Sequence, residues 1–268
     1  YTYLVMEYAQ GEDIRSRVEK ALSQETTLPL GFCLRVLLAF AQMLAAAHQR
    51  GVIYNDYKPE HIFWLSPNHL TIIDWGMADF LSYAGQVEPI PPNERDKAYL
   101  RDEVRKFADL IFFMLTGDNA DTHRQQGSDH RPNNNQVMRA GNAAGLREMI
   151  RAVYQPPPNG PAFTRMDDVV ASLQGQLLVL EKRLSPLSNQ IDTLLKRPYS
   201  IHTAAHIESL MAKVGEVDPD WPQLEVWRQR TRSGNCISAR KTISVLPAHV
   251  RKGWSRSPIG NRDISSSA

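Results

Sequence analysis

The stretch that decides the fold is GVIYNDYKPEHIFWLSPNHLTIIDWGMADF, residues Gly51–Phe80. Two short β-prone runs, HIFWL (His61–Leu65) and LTII (Leu70–Ile73), are separated by the turn-forming letters SPNH, which predicts a small β-hairpin. Asp56 precedes the first run, and Asp74 follows the second. Because the two open ends of a hairpin lie side by side, we expect these carboxylates to lie close together.

Two strongly apolar segments flank this hairpin. Upstream, LGFCLRVLLAFAQMLAAAHQR (Leu30–Arg50) is apolar on nearly all sides; it follows Pro29, which suits a helix start, and it stops at Gly51. Downstream, Glu103–Thr116 has the composition of a second core helix, closed by Gly117. Both helices have to be buried, so we expect the hairpin to rest on a helical core.

The remaining segments suggest how the chain is organised. Further helices are predicted at Asp13–Leu22, Ala144–Tyr154 and Arg165–Leu184, with weaker signals at Ser188–Leu195 and Ala204–Val214. We place a soft domain boundary near residue 180. A helical extension follows over 181–230, and the basic, Ser-rich segment 231–268 is expected to be disordered.

Composition narrows the class of protein. Hydrophobic residues make up 42% and charged residues 22%, as in ordinary globular proteins. The 31 basic and 29 acidic residues give a net charge of +2, which does not favour a nucleic-acid partner. Cys33 and Cys236 are too far apart to suggest a disulfide scaffold or zinc site, so we expect a reducing cytoplasm. The longest apolar stretch, around 34–47, is interrupted by Arg35 and Gln42 and falls short of the ~20 residues that span a bilayer, so we expect no membrane helix and no membrane partner. We also expect a monomer.

The central stretch resembles the protein kinase superfamily, and in particular the bacterial type of Ser/Thr protein kinase. YNDYKPEH stands where that family has its catalytic loop HRDLKxxN, and DWG stands where it has DFG. Upstream, LVMEYAQGEDI is similar to the family's hinge, and the helix ending in LTG is similar to the central helix of its C-lobe. The resemblance runs from Tyr1 to about Leu177 in the family's own order. It implies an α+β fold: a mainly α-helical, kinase-like C-lobe over 13–180, preceded by a hinge remnant over 1–12.

The resemblance also implies roles for individual residues. Phosphoryl transfer needs mainly positioning and charge neutralisation, which carboxylates, a cation and a metal supply. Asp56 would be the catalytic base for the substrate hydroxyl, and Lys58 would neutralise the γ-phosphate of ATP. Asp74 would hold the Mg²⁺ ion that bridges the phosphates. The implied reaction is transfer of the ATP γ-phosphate to a hydroxyl of a protein substrate.

An adenine site is implied by the same resemblance. Backbone atoms of Glu7 and Ala9 would face the adenine edge next to the gatekeeper position, Met6, and Asp13 would reach the ribose. Phe63 would floor the pocket, although an ordinary aromatic of the hairpin core is an equal alternative.

Several positions depart from the family pattern. His61 stands where the family has an Asn that binds a second metal, and imidazole suits Mg²⁺ poorly, so either that metal is lost or Mn²⁺ is preferred. Asn55 replaces an Arg that pairs with a phosphorylated activation loop in many relatives, so we expect no activation by loop phosphorylation. Nothing before Tyr1 supplies a Gly-rich phosphate loop or a signal peptide, and we interpret the start as a truncation that lacks the N-lobe.

Two alternatives to an active protein kinase stay open. A pseudokinase or scaffold is suggested by His61 and by the missing N-lobe. A small-molecule kinase of the aminoglycoside-phosphotransferase type is suggested by IIDW, while Lys58 and the helix ending in LTG argue against it. The C-terminal extension and its basic tail offer a docking segment for a partner, with a solvated tail as the simpler explanation.

Overall fold

Helices account for most of the chain, and short strands form two small sheets beside them. The computed structural model describes residues 7–66, 69–86, 91–118, 143–156, 163–196 and 200–231. The predicted fold class is therefore confirmed as α+β, mainly helical, with a small hairpin after the loop that carries Asp56. The assignment of this body to a C-lobe stays a prediction, and the predicted tail lies almost wholly outside the described residues.

The bounds of the elements follow the chain. Six helices have both ends within the described residues: α1 (Ile14–Ser23), α2 (Leu30–Gln49), α3 (Glu94–Thr116), α4 (Ala144–Tyr154), α5 (Met166–Leu195) and α6 (Ile201–Val217). Residues 224–231 are also helical. The strands are β1 (Glu12–Asp13), β2 (Val52–Ile53), β3 (Ile62–Ser66), β4 (His69–Ile72) and β5 (Asp79–Phe80). A single 3-10 turn, Pro59–His61, leads into β3.

The hairpin of β3 and β4 is the centre of the larger sheet. The two strands pair antiparallel, with Ile62 opposite Ile72, and β1 adds to the other side of β3. Ile62 and Trp64 are buried, whereas Phe63 and Leu65 alternate to the more open face, as the period of two in a strand requires. One face of β3 thus packs the hairpin against the core, while the other face is partly exposed to solvent.

Helix α2 forms the floor under the hairpin. It packs most extensively along α5, and Phe32, Leu37, Phe40 and Leu44 are all fully buried. Burying one such side chain stabilises a fold by about 1.5–3 kcal/mol. The expectation that no apolar helix reaches spanning length does not hold, because α2 has the length and composition to cross a membrane. More than half of its apolar window is nevertheless buried inside the fold, as is common for core helices.

Two helices extend beyond their predicted bounds. Helix α3 begins at Glu94 rather than Glu103, because the side chains of Asn93 and Asp96 form a reciprocal capping box at its N-terminus. Helix α5 runs without a break through Pro186, where two separate helices were expected. A proline removes one helical hydrogen bond, and buried Leu184 and Ile191 keep the helix packed on both sides of it. The domain boundary near residue 180 stays a prediction, and α5 continues through that position.

The C-terminal segment packs tightly onto the same core. The carboxylate of Asp218, which is fully buried, accepts three hydrogen bonds from Arg35 of α2, at 2.7, 3.0 and 3.3 Å. Gly31 allows this approach, since a Cβ there would lie 2.4 Å from the Asp218 side chain. The indole of Trp64 donates to Asp220 at 3.3 Å, so the segment after α6 reaches the hairpin itself.

Candidate active site

The loop between β2 and β3, residues 54–61, is anchored at its base by one buried carboxylate. Glu103 of α3 is fully buried, and its Oε1 accepts hydrogen bonds from the backbone N–H groups of Tyr54 at 2.6 Å and Asn55 at 3.0 Å. Its Oε2 contacts Nε2 of buried His48, from the last turn of α2. A charge-assisted bond to backbone N–H groups is stronger than a neutral one, so Glu103 fixes where the loop starts.

Tyr54 joins this loop to the segment that carries Asp74. Its hydroxyl donates to the backbone oxygen of Ile73 at 2.8 Å, and its ring packs against Trp75 with centroids 4.9 Å apart. Burial raises the pKa of the Tyr54 hydroxyl well above its usual value, and the carboxylates of Asp56 and Asp74 raise it further. The hydroxyl therefore stays protonated as a donor, which holds the two segments together.

Asn55 makes a second link through its side-chain amide. Nδ2 donates to the backbone oxygen of Met77 at 3.2 Å, and Oδ1 accepts from Nζ of Lys106 at 3.1 Å. The neutral amide thereby connects the loop, the segment after Asp74 and helix α3 without a phosphate group. The expectation that the protein is not activated by loop phosphorylation stays a prediction. The contacts of Asn55 are consistent with it.

Four of the predicted site residues converge at the tip of the loop. Nζ of Lys58 lies 3.0 Å from Oδ2 of Asp56, and Nδ1 of His61 lies 3.2 Å from the same oxygen. Nε2 of His61 lies 4.0 Å from Oδ2 of Asp74. Asp56 is largely buried, whereas more than half of the Asp74 side chain is exposed. The imidazole thus stands between two carboxylates, one on the inner and one on the outer side of the site.

The donor set at this tip fits a divalent cation. One ligand atom from each of Asp56, His61 and Asp74 can be chosen so that all lie within 4.8 Å of one another. The Nδ1 atom of His61 is buried and, despite its closeness to Asp56, is not aligned for a hydrogen bond with any described residue. Two carboxylates and an imidazole are ligands that Mn²⁺ accepts, whereas Mg²⁺ prefers oxygen ligands alone.

The residues predicted to hold adenine are placed only in part. Met6 lies outside the described residues, Glu7 is exposed, and Ala9 is half-buried in extended chain. Asp13 and Phe63 lie directly opposite each other on β1 and β3. The Asp13 carboxylate caps α1 through bonds to Ser16, so it already has a structural role. Phe63 is half-buried on the open face of β3, so its ring is accessible to a ligand, and its predicted role as the floor of the adenine pocket stays a prediction.

Glu103 and His48 are the residues of this site that sequence reasoning missed. Glu103 was assigned only to the start of a core helix, and His48 only to the end of another. A signal for Glu103 was present, since Phe107, Leu110 and Met114 follow it at helical spacing and form a buried stripe. A carboxylate on a buried stripe requires a partner, and the loop N–H groups provide it.

The N-terminal part of the chain is similar to proteins of a known family. A family model described as protein kinase domain matches residues 1–101, a range that includes Asp56, Lys58, His61 and Asp74. This part of the chain is therefore similar to the protein kinase superfamily. The kinase match ends inside α3, so the helices after it are outside the matched range.

Individual protein kinases show the same similarity. The probable serine/threonine-protein kinase pknA2 of Bifidobacterium longum is 35% identical over 126 residues, which cover 43% of this chain and 16% of the relative. Serine/threonine-protein kinase PknD of Protochlamydia amoebophila is 31% identical over 94 residues, covering 32% and 10%. Human ribosomal protein S6 kinase alpha-6 is 29% identical over 165 residues, covering 57% and 20%. The chain spans a fifth or less of the length of these three relatives.

Proposed function

We propose that this chain carries the catalytic centre of a Ser/Thr protein kinase, which transfers the γ-phosphate of ATP to a hydroxyl of a protein. The observation that carries the proposal is the convergence of Asp56, Lys58, His61 and Asp74 within one loop tip, inside the range that matches the kinase family. The similarity to Ser/Thr protein kinases of two bacteria supports a protein as the acceptor.

Each residue has a defined part in the proposed reaction. Asp56 accepts the proton of the acceptor hydroxyl as its oxygen forms a bond to the γ-phosphorus. The bond from that phosphorus to the β–γ bridging oxygen breaks, and ADP leaves. Lys58 places a positive charge beside the transferred phosphoryl group, and its 3.0 Å contact with Asp56 keeps base and cation in one orientation.

The metal preference is the finer part of this proposal. A bound divalent cation would neutralise phosphate charge at the loop tip. Asp74 and His61 would hold it, with Asp56 near enough to contribute. Because His61 offers a nitrogen rather than an oxygen, we infer that Mn²⁺ supports the reaction better than Mg²⁺.

Nucleotide and partner assignments follow from the same proposal. The adenine would lie between backbone atoms of the segment with Met6, Glu7 and Ala9 and the open face of Phe63, with Asp13 near the ribose. We further propose a monomeric protein in the cytoplasm, where buried Cys33 stays reduced. The region beyond residue 180 is the candidate for docking a partner protein. Size-exclusion chromatography and cell fractionation test the first two statements.

A pseudokinase is the second candidate function, and a specific observation favours it. The Oδ2 atom of Asp56 already lies 3.0 Å from Nζ of Lys58, so the charge of the base is balanced by a cation of the chain itself. A pseudokinase would bind nucleotide without transferring phosphate. A small-molecule kinase of the aminoglycoside-phosphotransferase type is a further alternative, which transfer to an aminoglycoside but not to a protein would identify.

The test uses the complete protein and radiolabelled ATP. Phosphate transfer to a generic protein substrate is measured with Mg²⁺ and with Mn²⁺, and nucleotide binding is followed by thermal shift. Asp74→Asn is expected to reduce transfer at least about 100-fold, on the scale of a lost charge-stabilising group. Asp167→Asn is the matched control, because Asp167 is half-exposed in the first turn of α5 and pairs only with Arg165 among the described residues. Nucleotide binding without transfer by the unaltered protein would favour the pseudokinase.

A further inference from the structure

A cavity of about 340 Å³ opens beside the loop tip, between α1, the loop and α3. Lys58 lines it and also contacts Asp56 at 3.0 Å, so the cavity adjoins the proposed reaction centre. Its size lies at the small end of ligand pockets, which hold about 300–1,000 Å³. Its lining includes Arg15, Tyr57, Lys58, Lys106, Asp109 and Phe113.

Cationic side chains outnumber carboxylates among the residues that line this cavity. Three cationic side chains, Arg15, Lys58 and Lys106, line it together with a single carboxylate, Asp109. That carboxylate accepts a hydrogen bond from the hydroxyl of Tyr154 on α4, so its charge is already engaged by the protein. An anionic group entering the cavity would meet the free donors of three cations, each of which also contacts a carboxylate of the protein.

The two cations outside the reaction centre, Arg15 and Lys106, each make specific contacts with neighbouring side chains. Nε of Arg15 donates to Glu60 at 2.8 Å, and its guanidinium lies 5.4 Å from the centroid of the Phe113 ring. Burial alone would raise the pKa of Glu60, but the hydrogen bond from Arg15, a backbone hydrogen bond and the charge of Arg15 together lower that pKa. Nζ of Lys106 is fixed between Asp102 and Asn55. Nη1 of Arg15 also lies 4.0 Å from Glu19. Because arginine has five N–H donors, these two contacts leave other donors of the guanidinium able to bind a further anion.

We propose that this cavity recognises an anionic side chain, a carboxylate or a phosphate, next to the acceptor residue of the protein substrate. The inference rests on the proposed function and names its substrate class. Arg15 and Lys106 are the specificity-determining residues, and the rings of Tyr57 and Phe113 contact the apolar part of the bound side chain. Because an extended chain advances about 3.3–3.6 Å per residue, the recognised side chain lies within a few positions of the acceptor.

The experiment measures equilibrium binding of fluorescent peptides to the complete protein, with no turnover required. Three peptides share one Ser acceptor and differ only in its neighbours, which are Asp and Glu, phosphoserine, or Asn and Gln. Both anionic peptides are expected to bind about tenfold tighter than the neutral one, as for hydrogen bonds to charged groups. High salt is expected to reduce that ratio. The tighter of the two anionic peptides identifies carboxylate or phosphate as the preferred group, and either result supports the proposal.

Two arginines of α1 provide a matched pair of variants. Arg15→Gln is expected to reduce the anionic preference to less than about threefold while binding of the neutral peptide is unchanged. Arg17→Gln is the control, because Arg17 pairs with Glu12 at 3.0 Å and lies over the Phe32 ring, outside the cavity lining. Arg15→Lys is expected to retain part of the preference. If Arg15→Gln does not fold, as judged by thermal melting, the peptide and salt comparisons on the unaltered protein decide the matter.

The outcomes separate this inference from the proposed function. Equal binding of anionic and neutral peptides by the unaltered protein overturns the inference, as does an equal loss in Arg15→Gln and Arg17→Gln. Phosphate transfer to the same peptides is measured in parallel. Transfer without an anionic preference overturns the cavity assignment alone, whereas a preserved preference without any transfer overturns the proposed kinase activity alone.

Discussion

Replacing Glu103 with alanine is expected to destabilise the protein by more than any substitution at the exposed tip of the site. The carboxylate is fully buried, and one of its oxygens accepts from the backbone N–H groups of Tyr54 and Asn55 at 2.6 and 3.0 Å. Each buried donor left without an acceptor costs about 1–3 kcal/mol. With the lost contact to His48 included, the expected decrease in unfolding free energy is roughly 3–6 kcal/mol, a large share of the ~5–15 kcal/mol of a typical domain.

The assay is urea unfolding followed by circular dichroism, with a graded set of variants. Glu103→Gln keeps an oxygen that can accept from the loop N–H groups, so we expect a smaller loss of about 1–2 kcal/mol. Glu94→Ala is the control, since Glu94 lies in the first turn of the same helix, is exposed, and pairs with Lys97. Surface changes of that kind usually stay within about 0.5 kcal/mol.

The anchoring role of Glu103 requires a clear loss of stability in the alanine variant. If the unfolding free energy of Glu103→Ala lies within about 1 kcal/mol of that of the unaltered protein, the loop N–H groups find other acceptors and the anchoring role is wrong. An equal effect of Glu103→Gln and Glu103→Ala would instead assign the stabilisation to the negative charge and its contact with His48, rather than to the oxygen that the loop binds.

Three further substitutions test the C-terminal contacts and the metal preference. Arg35→Leu leaves the buried carboxylate of Asp218 without its main partner, so urea unfolding should show a loss of roughly 3–5 kcal/mol, and a loss below about 1 kcal/mol would contradict the pairing. Burial, and then the charge of Asp218, raises the pKa of Asp220, so its ionised form opposes folding above that pKa. Asp220→Asn should therefore raise the melting temperature slightly at pH 7. Below about pH 3.8 no gain is expected, because the carboxyl of Asp220 is then protonated and as neutral as the asparagine that replaces it. A gain at every pH would refute the charge argument. His61→Asn should shift the ratio of phosphate transfer rates from Mn²⁺ towards Mg²⁺, and an unchanged ratio would show that the imidazole does not bind the metal.

Local sequence patterns were sufficient to predict the elements that form the site. The hairpin was predicted within one residue at each strand, because turn-forming residues lie between two β-prone runs. The apolar helix α2 was predicted because a segment that is apolar on nearly all sides has to be buried. The approach of Asp56 to Asp74 follows from the same hairpin, and His61 bridges them because it ends the turn before β3.

Contacts between distant parts of the chain could not be predicted in the same way. The ion pair of Arg35 and Asp218 joins residues 183 positions apart. The sequence around either residue gives no indication of its partner. The continuity of α5 through Pro186 also depends on packing, because the local rule favours a helix end at that residue. Buried Leu184 and Ile191, on the two sides of the proline, outweigh the lost hydrogen bond, and only the folded arrangement shows that they share one surface.

The backbone around the loop tip explains how the site can exist before a ligand binds. In the part of the chain that the structure describes, Asn55 and Asp74 are two of the three non-glycine residues with positive φ, at 67° and 58°. Such conformations cost free energy and persist only where surrounding contacts enforce them. Glu103 enforces the first through the loop N–H groups, and the Tyr54 hydroxyl holds the residue before Asp74. Since these contacts come from the protein alone, the fold places the carboxylates of the site without help from a metal, and ligand binding then has little ordering cost to offset.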